Sequence, residues 1–109
     1  MINAISVPVT GSIEAVSYER ESELDMLQEA VGGYIEAVTA SDTVTFYVNE
    51  EGKLMGLPVN VRATDLWWTL VPHARGHDVL CGNVVILGGV DDDGNSLSAD
   101  PSVLELLRK

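Results

Sequence analysis

Apolar and polar residues alternate along four stretches of the chain and recur every three or four positions along three others, so strands and helices take turns. Ile5, Val7 and Val9 alternate with Ser6 and Pro8; Thr10-Gly11 follows, then a second run from Ser12 to Tyr18 with Val16 and Tyr18 on one face. This predicts a β-hairpin turning at Gly11. Proline cannot donate to a ladder, so Pro8 places the first of these strands at a sheet edge, at least locally. Ser22-Glu23-Leu24-Asp25 has the form of a capping box and predicts a helix start, with Glu23 and Asp25 at its positive end. Leu24, Leu27 and Val31, flanked by Met26 and Ala30, form one stripe to bury on a sheet, and Gly32 falls where a left-handed residue ends a helix.

The alternation resumes over Tyr34 to Thr39 and over Thr43 to Val48, two strands joined by Ala40-Ser41-Asp42. Asn49-Glu50-Glu51-Gly52 reads as a turn, and Lys53 to Leu57 as a short extended return before Pro58. Val59, Ala63, Leu66, Trp67 and Leu70 make a helical stripe, with Asn60 as N-cap and Pro72 as terminator. At about 100° per residue, Trp67 lies with this stripe and Trp68 points away from it. Val71 to Gly76 reads as a loop. Val84 to Leu87, inside an extended stretch from Val79 that Cys81 helps to open, is apolar on both faces and is therefore the candidate central strand. Gly88-Gly89 ends it, Asp91 to Asn95 is a solvated loop, and Asp100-Pro101 opens a last short helix carrying Val103, Leu104 and Leu107, with Arg108 and Lys109 at its negative end. The result is one α+β domain over residues 1–109, order ββαββαβα, a mixed or antiparallel sheet with helices mainly on one face.

Composition narrows the function. A chain of 109 residues, 46% apolar and 21% charged, is globular and suffices for one core. Seventeen acids oppose six bases, for a net charge of −11. The first 55 residues hold ten acids against Arg20 and Lys53 alone. Phosphate backbones repel such a surface, which argues against nucleic acid as a direct partner and in favour of a basic protein; the same charge also keeps a small protein soluble. A single cysteine excludes an internal disulfide. MINAISVPV lacks the pattern of a secretion signal, and no apolar run reaches the roughly 20 residues that span a bilayer, so a cytoplasmic protein away from the membrane is expected.

The candidate chemistry is thin. His73, His77 and Cys81 are spaced by four, as a soft-metal site on a helix would require, but Pro72 and Gly76 interrupt any helix there, and loop histidines with a buried thiol are the simpler reading. A nucleophile set of Cys81, His77 and Asp78 would need sequence neighbours to converge, which they seldom do. The Asp91 to Asp93 loop has its glycine fourth, and Ser102 where a calcium loop carries glutamate, so a solvated turn fits better than a cation site. No catalytic residue, cofactor or metal is assigned. Trp68 is the one large aromatic expected on the surface, where it would serve a partner or a self-contact unless the last helix or the loop around His73 covers it.

In order, LQEAVGGYIEAV (Leu27 to Val38), NEEGKLMGLPVN (Asn49 to Asn60), Ala63-Thr64 and GNVVILGG (Gly82 to Gly89) resemble a family of small proteins known only as a domain of unknown function, number three-eight-four-six. That resemblance covers about Ile2 to Gly89 and implies a setting in actinobacteria, their bacteriophages and Gram-positive conjugative elements, with no family activity to carry over. Among the matching positions, Gln28, Glu50 and Asn60 are the polar exceptions in a set of turn and core types. The expected function is therefore a non-enzymatic phage or mobile-element accessory protein that binds a host protein, in a host-modulating or anti-defence role, with Trp68 and the acidic surface as contacts. A homodimer is a further arrangement. The alternative is a small-ligand or nucleotide binder with its pocket near Gln28, Gly33 and Asn60, where the second glycine of the pair signals either close backbone packing or an amide open to a ligand.

Overall fold

A computed structural model describes residues 1–108. Its elements are β1 (Ile2–Val7), β2 (Glu14–Tyr18), α1 (Glu23–Val31), β3 (Ile35–Ser41), β4 (Val44–Asn49), α2 (Val61–Leu70), β5 (Val84–Leu87) and α3 (Pro101–Leu107), in the order the hydrophobic pattern predicts. Two antiparallel hairpins, β1–β2 and β3–β4, are joined by β5, which inserts between them to give the strand order β2-β1-β5-β4-β3. Every pairing is antiparallel, which decides between the mixed and antiparallel expectations.

Both faces of β5 are buried because both faces of the sheet are covered. Val84 and Ile86 join Ile5, Val7, Phe46, Val48, Ala63, Leu66 and Val103 under α2 and α3. Val85 and Leu87 join Ala4, Tyr18 and Leu27 under α1. Two helices thus share one face, and α1 alone covers the other. At Gly89 the sheet end is so tightly packed that an added Cβ would lie 2.0 Å from the Asp42 carbonyl oxygen, so no larger residue fits there.

Several local expectations need correction. β1 is an interior strand with β2 and β5 on its two sides; Pro8 falls one residue past its end, so its missing N–H removes nothing from the ladder. Ser22 occupies the N-cap position of α1, but its hydroxyl makes no capping bond, because a 3-10 turn over Arg20–Ser22 leads straight into the helix. The stripe of α1 is also rotated. Glu23 is drawn toward the sheet by the Tyr18 hydroxyl, which donates to its carboxylate at 2.5 Å. Met26, Leu27, Ala30 and Val31 follow on that face, and Leu24 is left 55% exposed. Lys53 to Leu57 is not extended: residues 50–56 form successive turns. Val59 lies outside α2, paired with Cys81 in an isolated bridge, so Cys81 precedes β5 and does not open it. Lys109, placed at the negative end of α3 by the sequence, lies outside the described residues.

Candidate functional site

Asn49, the last residue of β4, organises the region that carries the candidate site. Its amide donates to the Val31 carbonyl at 3.1 Å, holding the end of α1, and its Oδ1 accepts from the Glu51 amide at 2.8 Å, starting the turns. The Met55 amide bonds to the Glu51 carbonyl and the Leu57 amide to the Gly52 carbonyl, so the 50–56 segment is a closed, hydrogen-bonded lobe. Its tip presents Leu54, 87% exposed, and Met55, 57% exposed.

A hollow of about 360 Å³ opens on the α2 side of this lobe. Val38, Val48, Leu80 and Trp67 supply its apolar surface; Glu36, Glu50, Lys53, Asp78 and Cys81 supply its polar one. Lys53 Nζ donates to Asp78 Oδ1, which also accepts from the Val79 amide at 2.8 Å. Lys53 holds the Asp78 carboxyl below its usual range, and the same bond keeps the ammonium above its own. With that cation committed, the Glu36 and Glu50 carboxylates leave the hollow with net negative charge.

Trp68 stands outside the hollow. Its indole Nε1 donates to the Asp78 carbonyl at 2.9 Å, and the Arg75 guanidinium lies 5.8 Å from the ring centre. Half-buried, it braces the 72–78 loop onto α2 and so holds Asp78 where Lys53 reaches it. Trp67, its neighbour, does pack on the core as the stripe predicts, and its remaining surface lines the hollow.

The other singled-out residues separate in space. Gln28 and Gly33 share a second hollow, of about 310 Å³, with Tyr34, Asn49, Glu51 and Met55. It lies at the end of α1, and among the described residues its lining holds no cation to meet a phosphate. The Gly33 amide is not open, since it and the Gly32 amide both bond to the Gln28 carbonyl. What requires the second glycine is close packing: a Cβ there would lie 2.9 Å from Asn49 Nδ2. Glu50 is exposed at the rim of the first hollow. Asn60 is in neither, and its assignment to a surface is corrected. It has no exposed area, accepts from the Ala63 amide to cap α2, and donates to the carbonyls of Val7 at 2.7 Å and Gly82 at 2.9 Å.

His73 and His77 are exposed on the segment after α2, and Cys81 is half-buried at its bridge. Among the described residues no group of three His, Cys, Asp or Glu side chains is placed to hold a metal ion. In the acidic loop, Asp91 Oδ1 accepts from the Asp93 and Asn95 amides at 2.9 Å each. Backbone bonds, chiefly that from Asn95, hold this carboxyl below its usual range, and Gly94 closes the turn with positive φ.

The lobe, the glycine pair and the central strand are the segments in which the sequence resembles a known family, and a family model described as a domain of unknown function, DUF3846, matches residues 2–109. The chain belongs to the DUF3846 family. Searches of curated proteins and of solved structures found no match. For this DUF3846 domain the sequence pointed to Glu50 in the larger hollow, considered Cys81 and Asp78 there only within metal or nucleophile sets that it set aside, and missed Glu36, Lys53 and the open side of Trp67. Glu36 was legible in part, as the one charge within the β3 pattern. The Lys53–Asp78 pair joins residues 25 apart and had no local signal.

Proposed function

We propose that this DUF3846 domain acts without catalysis, by binding a protein whose contact surface is basic. The observation that carries this reading is the uncompensated carboxylate field. Of seventeen acids, only Glu23 and Asp78 have a cationic partner within 4.0 Å among the described residues. Arg20 and Arg62 are meanwhile turned onto backbone carbonyls, Arg20 onto Ser96 and Arg62 onto Pro8 and Gly11. A surface of this kind steers and orients a basic partner more than it supplies bulk affinity. In the bacteriophage or mobile-element setting that the family resemblance implies, that partner is a host protein in the cytoplasm, and a groove shaped for DNA is one surface of the required charge.

The test is capture from host lysate with the tagged protein at low and at physiological salt, followed by reconstitution with the purified partner. Binding that weakens steeply with salt is expected, because exposed charge pairs are screened over about 8 Å at 0.15 M. Reproducible capture indifferent to salt, or recovery of nothing at either salt, overturns the reading. Recovery of the protein alone, as a dimer, replaces it with self-association.

A further inference from the structure

Resting on that reading, the geometry points to a mode of binding: an extended segment of the partner adds to the outer edge of β3 as a sixth strand, with lysine or arginine on the hollow side and apolar residues on the other.

β3 ends the sheet, with β4 on its inner side. Neither a strand nor a loop backbone pairs with its outer side among the described residues. Such an edge is a template for strand addition unless something blunts it. β3 contains no proline or lysine, and its one irregularity, a bulge between Thr39 and Ser41, leaves Ile35 to Thr39 in regular register. Glu36, Ala37 and Thr39 are exposed along it.

The two faces of this edge differ in chemistry. On the α2 face Glu36 and Val38 form a wall of the larger hollow, which Trp67 also lines and Glu50 rims. An added strand would lie about 4.8 Å from β3, and its directly opposite side chains about 5 Å from those of β3, so a cationic side chain opposite Glu36 would meet the carboxylate and bury its methylenes along the apolar wall. On the α1 face, Ala37 is exposed, and Tyr34, 69% exposed, and Met55 stand at the start of the strand. These suit apolar residues at the alternate positions.

The opposite edge of the sheet does not offer the same match. β2 is flanked by Arg62, bonded to the Gly11 carbonyl just before it, and by Arg20 just after it. A basic strand there would meet the exposed Glu14 and Glu19 but also these two cations, whereas beside β3 the hollow's cation, Lys53, is already paired with Asp78. The β3 edge is therefore the better match for a basic extended segment.

The test uses the full chain and a capped seven-residue peptide alternating lysine and valine, followed by amide-resolved NMR and hydrogen exchange. Binding with new exchange protection confined to Ile35–Ser41 is expected. Replacing the peptide lysines by glutamate, or Glu36→Gln in the protein, should weaken binding, at least about tenfold for the peptide change. Methylating alternate peptide nitrogens on the pairing edge should abolish the protection. If the methylated peptide binds as well as the parent, or protection appears elsewhere, strand addition is overturned while the acidic-surface reading stands. If no cationic peptide binds even at low salt, both fall. Protection of β3 that rises with protein concentration alone assigns the edge to a second copy and overturns the proposal.

Discussion

Asn60 shows how much one side chain can hold together when all its hydrogen-bonding capacity is used in the interior. Its oxygen caps α2 while its two amide hydrogens tie the ends of β1 and the approach to β5. Asn60→Ala should lower unfolding free energy by about 2–4 kcal/mol, from the lost cap and two stranded carbonyls. Asn60→Asp, which keeps the cap acceptor but turns a carboxylate onto those carbonyls, should lower it at least as far; chemical denaturation measures both. Gly33→Ala would push Asn49 off the Val31 carbonyl, and a loss of about 1–2 kcal/mol is expected. At Tyr18, burial first and then the bond to Glu23 raise the phenol above its ordinary value of 10.0. Its ultraviolet ionisation should be absent at pH 10 in the folded protein. Because the folded value is the higher one, the stabilisation it reports is complete below pH 10 and is lost as pH rises through the folded value. The capping role of Asn60 was legible from its place before a helical stripe, but its burial was not, since Val7 and Gly82 are distant in sequence.

At the scale of elements, β5 decides the architecture. Four residues apolar on both faces mark a strand covered from above and below, and the run Val84 to Leu87 carries that signal by itself. Its neighbours do not announce themselves in the same way: β1 and β4 flank it only because it inserts between two hairpins. Amide exchange should therefore be slowest in Val84–Leu87 and their partners in β1 and β4, and fastest in β2 and in the outer-facing amides of β3. Exchange fastest in β5 would contradict this topology. The α1 stripe marks the limit of periodicity. Spacing permitted Leu24 or Glu23 to face inward, and the Tyr18 hydroxyl, from a strand, selected Glu23.

For the whole molecule, charge sets the behaviour. The protein measures 34 × 27 × 26 Å and carries a net charge of −11. At about 0.01 M salt the Debye length of roughly 30 Å spans the molecule, so its carboxylates repel one another throughout; at 0.15 M it is about 8 Å. The thermal midpoint should rise between these conditions, as calorimetry would show, and a fall would mean that attractive pairs outweigh the repulsion. No helix among the described residues is long and apolar enough to cross a membrane.

By itself the sequence determined what depends on neighbours along the chain: element types and order, the αL end at Gly32, the Asn60 cap, the helix start at Asp100-Pro101, the central character of Val84 to Leu87, and the excess of acid. These follow from side-chain periodicity and local backbone preference, which act within a few residues. Only the tertiary structure decided which hairpin strand forms the edge, which side of α1 faces the sheet, that Trp68 braces a loop while Trp67 lines a hollow, and that Lys53 is consumed by Asp78. Each of these depends on a contact between segments far apart in sequence, where packing and pairing, and not periodicity, choose among arrangements that the local pattern leaves equal.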